Sequence, residues 1–314
     1  NIALSHNLLV ITESNNSARQ PIGGDKDRYI ISFNGEIYNH ISLRELCKNK
    51  NWKGKSDTET LYNLIVEFGV EETIELISGM YAMAIYDSVK NKLHLCRDLV
   101  GEKPLMIWKK EGGGFYFASE IKAFLSIPGF RESLKRSSLI EYFSHRNVAA
   151  PNTFFTNVYS IMPGERKTID CDSISYSDNY SSESFFSVIN NQKESNSIES
   201  ILLQELKKQL IAEKEVVLLQ SGGIDSNAIL CLTKDLKENL SSISIGFKDL
   251  KNDETEDAKC ISRSLKIKHK TIKASNKDIL KVLEDLPYCL DQPNANPSII
   301  LNMIIFKIIR KNAR

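Results

Sequence analysis

The junction near residue 220 limits most narrowly what this chain can fold into. An apolar run, Val216-Val217-Leu218-Leu219, leads directly into Gln220-Ser221-Gly222-Gly223-Ile224-Asp225-Ser226, and a helical pattern over Asn227–Leu236 follows. Four successive apolar residues without alternation suit a strand covered on both faces, and a glycine pair before a helix suits a tight strand-to-helix turn. An amphipathic helix over Ile201–Ala212 precedes the run. A strand at Ser242–Phe247, a helix at Thr255–Leu265, a short strand at Lys270–Lys273 and two more helices, the last over Pro297–Asn312, come after it. Apolar strands alternating with helices predict an α/β, doubly wound parallel sheet from about Ile201.

The residues of the loop suit a polyphosphate. Gly222 and Gly223 let backbone N–H groups come close to an anion, and the helix start adds the positive end of its dipole. Ser221 and Ser226 can donate further hydrogen bonds. Asp225, itself an anion, can hold the Mg2+ that accompanies a polyphosphate. The lysine of a G-x-x-x-x-G-K-[ST] loop is absent, which disfavours kinase-like NTPases. The plain structural alternative is a Gly-Gly turn with Asp225 as an N-cap. The loop's place at the carboxyl end of the first parallel strand, where ligands bind in such sheets, weighs against that alternative.

The first half has a different pattern. Tyr29–Phe33, Met80–Tyr86, Lys92–Arg97 and Phe115–Ala118 read as short strands, with helices at Ile41–Lys48, Thr58–Phe68 and Ser137–Ser144, an antiparallel α+β arrangement. Asn34-Gly35-Glu36 follows the first strand. An amide side chain beside a glycine N–H offers two neutral donors of the kind a developing oxyanion requires, and Glu36 or Asp57 could grip an α-ammonium group. Taken alone, N-G-E reads as a turn more often than as a site, and Ser56–Glu59 equally as a capping box. Cys171–Ser200 is rich in Ser, Asn, Asp and Glu and reads as a linker or surface excursion. A length of 314 residues, at about 150 per domain, accommodates two domains.

Charge and cysteine usage narrow the partners. The 41 basic and 40 acidic residues leave a net charge of +1, so no overall field recruits nucleic acid or an anionic membrane. The six cysteines show no C-x-x-C pair, which fits a reduced, cytoplasmic setting. Ile299–Ile309, interrupted by Asn302 and Lys307, falls short of the ~20 apolar residues that span a bilayer, and no signal peptide is recognisable. The chain opens on Asn1 and stops at Arg314 just after a helical pattern, so both ends read as cut.

S-G-G-x-D-S resembles the pyrophosphate loop of the N-type ATP pyrophosphatases, which cleave ATP between its α and β phosphates to make acyl-adenylates. Ser244-Ile245-Gly246-Phe247, Asp253-Glu254 and Asp291-Gln292-Pro293 are similar to segments of the asparagine synthetase branch. Asn34–Asn39, Ser56–Glu59, Ser78-Gly79-Met80, Arg97–Leu105 and Ala118–Ala123 recur in the order seen in class II glutamine amidotransferases fused to an asparagine synthetase domain. The resemblance implies an N-terminal-nucleophile-type α+β sandwich over residues 1–170, a linker over 171–200 and a truncated ATP pyrophosphatase domain over 201–314. It implies Asn34 and Gly35 as oxyanion hole and glutamine contacts, with Glu36 and Asp57 as ligands of the glutamine amino group. ATP would be held by Leu219, Gln220, Ser221, Gly222, Gly223, Asp225, Ser226 and Ile245, the backbone near Leu219–Gln220 and at Ile245 meeting the adenine, and Mg2+ by Asp225. Arg97-Asp98 is expected to be a buried ion pair, Ser119–Lys122 a structural corner, and His6 structural.

Three departures from the family pattern stand out. The family's nucleophile is an N-terminal cysteine, and Asn1 falls some tens of residues beyond that point. Leu8 stands where the family has an arginine for the glutamine carboxylate, and leucine has no fork of donors to offer. The S-G-x-G-x-D-E segment expected after Pro297–Asn312, and a later lysine, are absent. The implied activity is a carbon–nitrogen ligase that hydrolyses glutamine and delivers ammonia to a carboxylate activated by ATP. Aspartate is the default acceptor and asparagine the product; another small carboxylate, a sugar acid included, is an alternative. A glutaminase-inactive, β-lactam synthetase-like relative and a degenerate non-catalytic chain are further alternatives, a homodimer is allowed for, and the chain as it stands is expected to be inactive.

Overall fold

The structure, a computed structural model, describes residues 2–7, 19–24, 27–173, 175–180, 197–211, 215–247 and 254–312. Leu8, Asp253 and residues 181–196 of the expected linker lie outside the described residues. The chain divides into two compact units, Asn1–Glu194 and Ser195–Arg314.

In the first unit, β1 (Tyr29–Ile37), β2 (Gly79–Asp87), β3 (Lys92–Arg97), β7 (Glu165–Asp170) and β8 (Ser175–Tyr180) form an antiparallel sheet in the order β1-β2-β3-β7-β8. A smaller antiparallel sheet, in the order β5-β4-β6, contains β4 (Met106–Lys109), β5 (Phe115–Ala118) and β6 (Val158–Ser160). Helices α1 (His40–Leu43), α2 (Asp57–Phe68), α3 (Val70–Leu76) and α4 (Arg136–His145) complete the unit. Strand alternation assigns the faces. Ile31, Phe33 and Ile37 of β1, with Met83 and Ile85 of β2, pack on Leu61, Leu64 and Ile65 of α2. On the opposite face Ala82, Ala84, Leu93 and Leu95 meet Leu105, Ile107 and Ile161 around the small sheet. The far side of that sheet carries Trp108, covered by Ile121 and Phe124 of a 3-10 helix at Ile121–Ser126. The layers therefore run helix, sheet, sheet, 3-10 helix.

Three expectations change. β1 does not stop at Phe33: Asn34, Gly35 and Glu36 are strand residues paired with Ala82, Tyr81 and Met80, and the Ile37 N–H donates to Asp57 Oδ2 at 3.0 Å. The first helix ends at Leu43 and does not run to Lys48: the Lys48 N–H, which a longer helix would give to Arg44 O, donates to the Glu67 carboxylate, and Lys50 Nζ donates to that carbonyl oxygen. Part of the expected linker is strand, since β8 extends the large sheet through β7.

In the second unit β9 (Val217–Leu219), β10 (Ser241–Phe247) and β11 (Lys268–Ala274) form a parallel sheet in the order β11-β10-β9. Its helices are α5 (Ile198–Gln209), α6 (Ile224–Lys234), α7 (Thr255–Ser264), α8 (Asn276–Cys289) and α9 (Ser298–Asn312). Ile243 and Ile272 pack on Ile305 of α9, and Ala274 on Val282 of α8 and Ile304 of α9, whereas Ser242 bonds to Ser262 of α7, so both faces are covered. The strand order advances in one direction only, and a reversal of winding is not among the described residues. β9 differs from its expectation as a buried strand: among the described residues it lies at the sheet edge, with Val217 37% and Leu219 44% exposed.

Arg97 and Asp98 also depart from the expected ion pair. The guanidinium donates to the Lys103, Ile161 and Gly101 carbonyl oxygens and to Ser160 Oγ, and burial lowers its pKa. Asp98, with no exposed surface, accepts from the N–H groups of Tyr81, Val100, Glu102 and Lys103 at 2.8–3.2 Å. Each side chain thus serves backbone groups of opposite polarity, and together they shape the 98–103 loop. Asp98→Ala strands four N–H groups. At ~1–3 kcal/mol for each buried donor that water cannot reach, the expected loss is about 3 kcal/mol or more, with a smaller loss for Asp98→Asn. Urea denaturation of the two variants measures both.

Candidate functional site

In the first unit a cavity of about 560 Å³ opens between the two sheets, lined by Ser32 and Asn34 of β1, Ala82 and Ala84 of β2, Phe117 of β5 and Ser119 just beyond it. Strand parity places Asn34 here, because Phe33 and Ile37 take the face toward α2. The Asn34 Nδ2 group donates to Ser119 Oγ at 3.3 Å. Ser119, read from sequence as a structural corner, and His6, read as structural, both line the cavity. Burial lowers the His6 pKa, which favours the neutral ring.

Gly35 has no side chain to line the cavity and can offer it only a backbone N–H. Its side faces β2 so closely that a Cβ would run into the Met80 carbonyl oxygen, and only glycine fits that pairing. Asp57 is buried at the start of α2, where its carboxylate accepts from Ile37 N–H at 3.0 Å and Thr58 N–H at 2.8 Å. Ser56 caps the same helix by accepting from Glu59 N–H, while the Glu59 carboxylate accepts from Lys53 and Gly54. Asp57 therefore ties the end of β1 to α2. Burial raises its pKa against the pull of these hydrogen bonds. Burial likewise raises the pKa of Glu36, and the nearby charge of Asp57 raises it further, with Lys103 acting in the opposite sense.

The second unit places the glycine loop between β9 and α6, as the sequence predicts. The Ser221 and Ser226 hydroxyls turn toward the loop itself. Ser221 N–H donates to Ser226 Oγ at 3.1 Å, the two hydroxyls lie 2.9 Å apart, and Gly223 N–H donates to Ser221 Oγ at 3.1 Å. Gly222 N–H points outward and donates to Glu254 Oε2 at 3.1 Å. A Cβ on Gly222 would lie 2.8 Å from Glu254 Cβ, so this approach requires glycine. The loop thus already presents a backbone donor to an anionic oxygen. Asp225 lies in the first turn of α6, and no cluster of three metal-binding side chains exists among the described residues. A single carboxylate is nevertheless enough for Mg2+, which completes its shell with phosphate oxygens and water. Leu219 and Ile245 lie toward the carboxyl ends of adjacent strands, Leu219 pairing with Ile243. Gln220 turns its side chain inward and is 5% exposed. Glu254, 32 residues along the chain from Gly222, is a partner that the local motif does not reveal.

The raised Glu36 pKa has a stability consequence with a definite sign. A carboxyl whose pKa is higher in the folded state takes up protons on folding, so its unfavourable effect grows as pH rises through that pKa. Glu36→Gln is expected to melt higher than the parent at pH 7, and the difference should shrink toward pH 4. Thermal melts across that range supply the measurement.

Residues 1–181 match the family described as glutamine amidotransferase domain, and residues 197–314 match that described as asparagine synthase. Asparagine synthetase [glutamine-hydrolyzing] 3 of Bacillus subtilis is 30% identical over 231 residues, 71% of this chain and 37% of the relative. Asparagine synthetase [glutamine-hydrolyzing] 1 of the same organism is 28% identical over 296 residues, 93% of this chain and 46% of the relative. Asparagine synthetase B [glutamine-hydrolyzing] of Escherichia coli is 28% identical over 235 residues, 74% of this chain and 37% of the relative. The chain spans less than half the length of these relatives. With both units matched in order, the chain belongs to the glutamine-dependent asparagine synthetase family.

Proposed function

We propose that this chain belongs to an ATP-dependent amidotransferase that hydrolyses glutamine in its first unit and uses the ammonia to amidate a carboxylate in its second. The supporting observation is that one chain carries a cavity walled by the Asn34 amide and a glycine loop whose Gly222 N–H is turned onto an anionic oxygen.

In the first unit the glutamine α-ammonium pairs with Glu36 and Asp57, offsetting the Asp57 charge that raises the Glu36 pKa. A cysteine thiolate, drawn from N-terminal to Asn1 as in the family, attacks the carboxamide carbon. The Asn34 amide and the Gly35 N–H stabilise the oxyanion, ammonia leaves, and hydrolysis of the acyl intermediate releases glutamate. In the second unit, backbone at Leu219, Gln220 and Ile245 meets the adenine, and the loop from Ser221 to Ser226 meets the phosphates. Mg2+, held by Asp225, would neutralise phosphate charge there. The acceptor carboxylate becomes an acyl-adenylate with release of pyrophosphate, and ammonia then displaces AMP. Aspartate is the acceptor we favour, giving asparagine.

Incubating the intact protein with glutamine, aspartate and MgATP should yield glutamate, asparagine, AMP and pyrophosphate in step; absence of pyrophosphate release would overturn the reading of the second unit. Asn34→Ala should lower glutamine hydrolysis by about 10²–10³, the usual cost of one oxyanion donor, and leave synthesis from free ammonia intact. A change under about threefold would refute that role. Asp225→Ala should abolish MgATP binding with the far-UV circular dichroism of the parent retained.

A further inference from the structure

Gln220 immediately precedes the phosphate loop but points away from it, into a buried chain of polar groups. Its Nε2 donates to Ala258 O at 3.0 Å and to Asn227 Oδ1 at 2.8 Å, and its Oε1 accepts from Ser262 Oγ at 2.6 Å. Asn227 Nδ2 in turn donates to Gly223 O at 2.7 Å and Ser221 O at 3.3 Å, the same two carbonyls that the Ser226 hydroxyl reaches at 3.2 Å. Backbone carbonyls stand at both ends and can only accept, so neither amide can be reversed without two acceptors facing each other. Ser262 spends its proton on Gln220 and must accept at its oxygen. Ser242 Oγ, at 3.1 Å, supplies that bond when His269 Nδ1–H donates to Ser242 at 2.8 Å and His269 Nε2 accepts from Ser244 at 3.0 Å. The chain is satisfied throughout with His269 neutral, the form that its burial favours.

The direction of this chain matters for the loop because a trans peptide points its C=O and its N–H in opposite directions. Holding Ser221 O inward turns Gly222 N–H outward, which is where Glu254 meets it. Holding Gly223 O inward does the same for Ile224 N–H at the start of α6. We propose that Gln220 is the positioning residue of the phosphate loop: it fixes the orientation of the Asn227 amide, which holds two loop carbonyls inward and aims the Gly222 and Ile224 N–H groups at the phosphates. This assignment rests on reading the loop as a triphosphate site, as proposed above.

Equilibrium binding of MgATP and of adenosine to the intact protein, Gln220→Met, Asn227→Ala and the double variant provides the test. All the substitutions are neutral, so the charge felt by a triphosphate does not change. Each single variant should bind MgATP about 10-fold more weakly or worse, the scale of a lost hydrogen bond to a charged group, and Asn227→Ala, which lies outside the adenine contacts, should keep adenosine affinity within twofold of the parent. The double variant should be no weaker than Asn227→Ala, because Gln220 acts through Asn227. Unchanged MgATP affinity, equal weakening of both ligands by Asn227→Ala, or additive losses would each overturn the proposal. Should Gln220→Met fail to fold, Asn227→Ala must still separate the two ligands, and failure to do so overturns it equally. If the parent binds adenosine but gains nothing from the triphosphate, the triphosphate reading of the loop falls, a result distinct from a parent that binds MgATP tightly and variants that match it.

Discussion

The close antiparallel pairing of β1 with β2 is the constraint on which the first unit depends. Gly35 sits against the Met80 carbonyl and Gly79 against the Glu36 carbonyl with no room for a Cβ at either place, so the two strands are locked in one register. Register decides faces: slipping by one residue would carry Asn34 into the apolar layer under α2 and bring Phe33 into the cavity. The Asp57 carboxylate, by accepting from Ile37, extends the same lock past the end of the apolar residues. The Asn34 amide owes its place to these two glycines and one buried acid more than to any contact of its own.

The second unit meets the same requirement by other means. A loop between a parallel strand and a helix has no ladder to hold its peptide planes. Here side chains hold them, through a buried series of amides and hydroxyls drawn from β10, β11, α6 and α7. Such a series stabilises only when every member is paired, because an unpaired polar group in a low-dielectric interior costs more than its bond contributed. The serines of β10, unusual on the face of a buried parallel strand, are explained by this requirement rather than by packing.

Regular elements were legible in the sequence where local pattern decides them. β3 and β5 have the limits that alternation predicts, and α2 begins one residue early because Ser56 caps it. What was illegible was set at a distance. Asn34-Gly35-Glu36 has turn chemistry, and only the pairing with β2 and the acceptor at Asp57 keep it in strand. Arg97 and Asp98 suggest an ion pair by adjacency, yet each finds backbone partners that no pairwise pattern encodes. The glycine loop was recognised, but its serines look inward and its outward donor meets Glu254. The role of Ser119 beside Asn34 spans 85 residues of chain and left no local signal.

In the proposed reading both candidate sites meet an anion with neutral donors: an amide and a backbone N–H in one unit, loop N–H groups in the other. A chain of net charge +1 has no strong overall field, so in that reading an anion is recognised through dipoles already aimed. Neutral donors avoid the burial cost of a lysine or arginine, but their strength depends on direction, and a peptide N–H a few tens of degrees off its target loses most of its value. That dependence accounts for where the buried polar groups are concentrated. Asp57, Asp98 and Gln220 are each largely withdrawn from solvent, each bonded to backbone groups, and each located where a chain segment would otherwise be free to rotate a donor away.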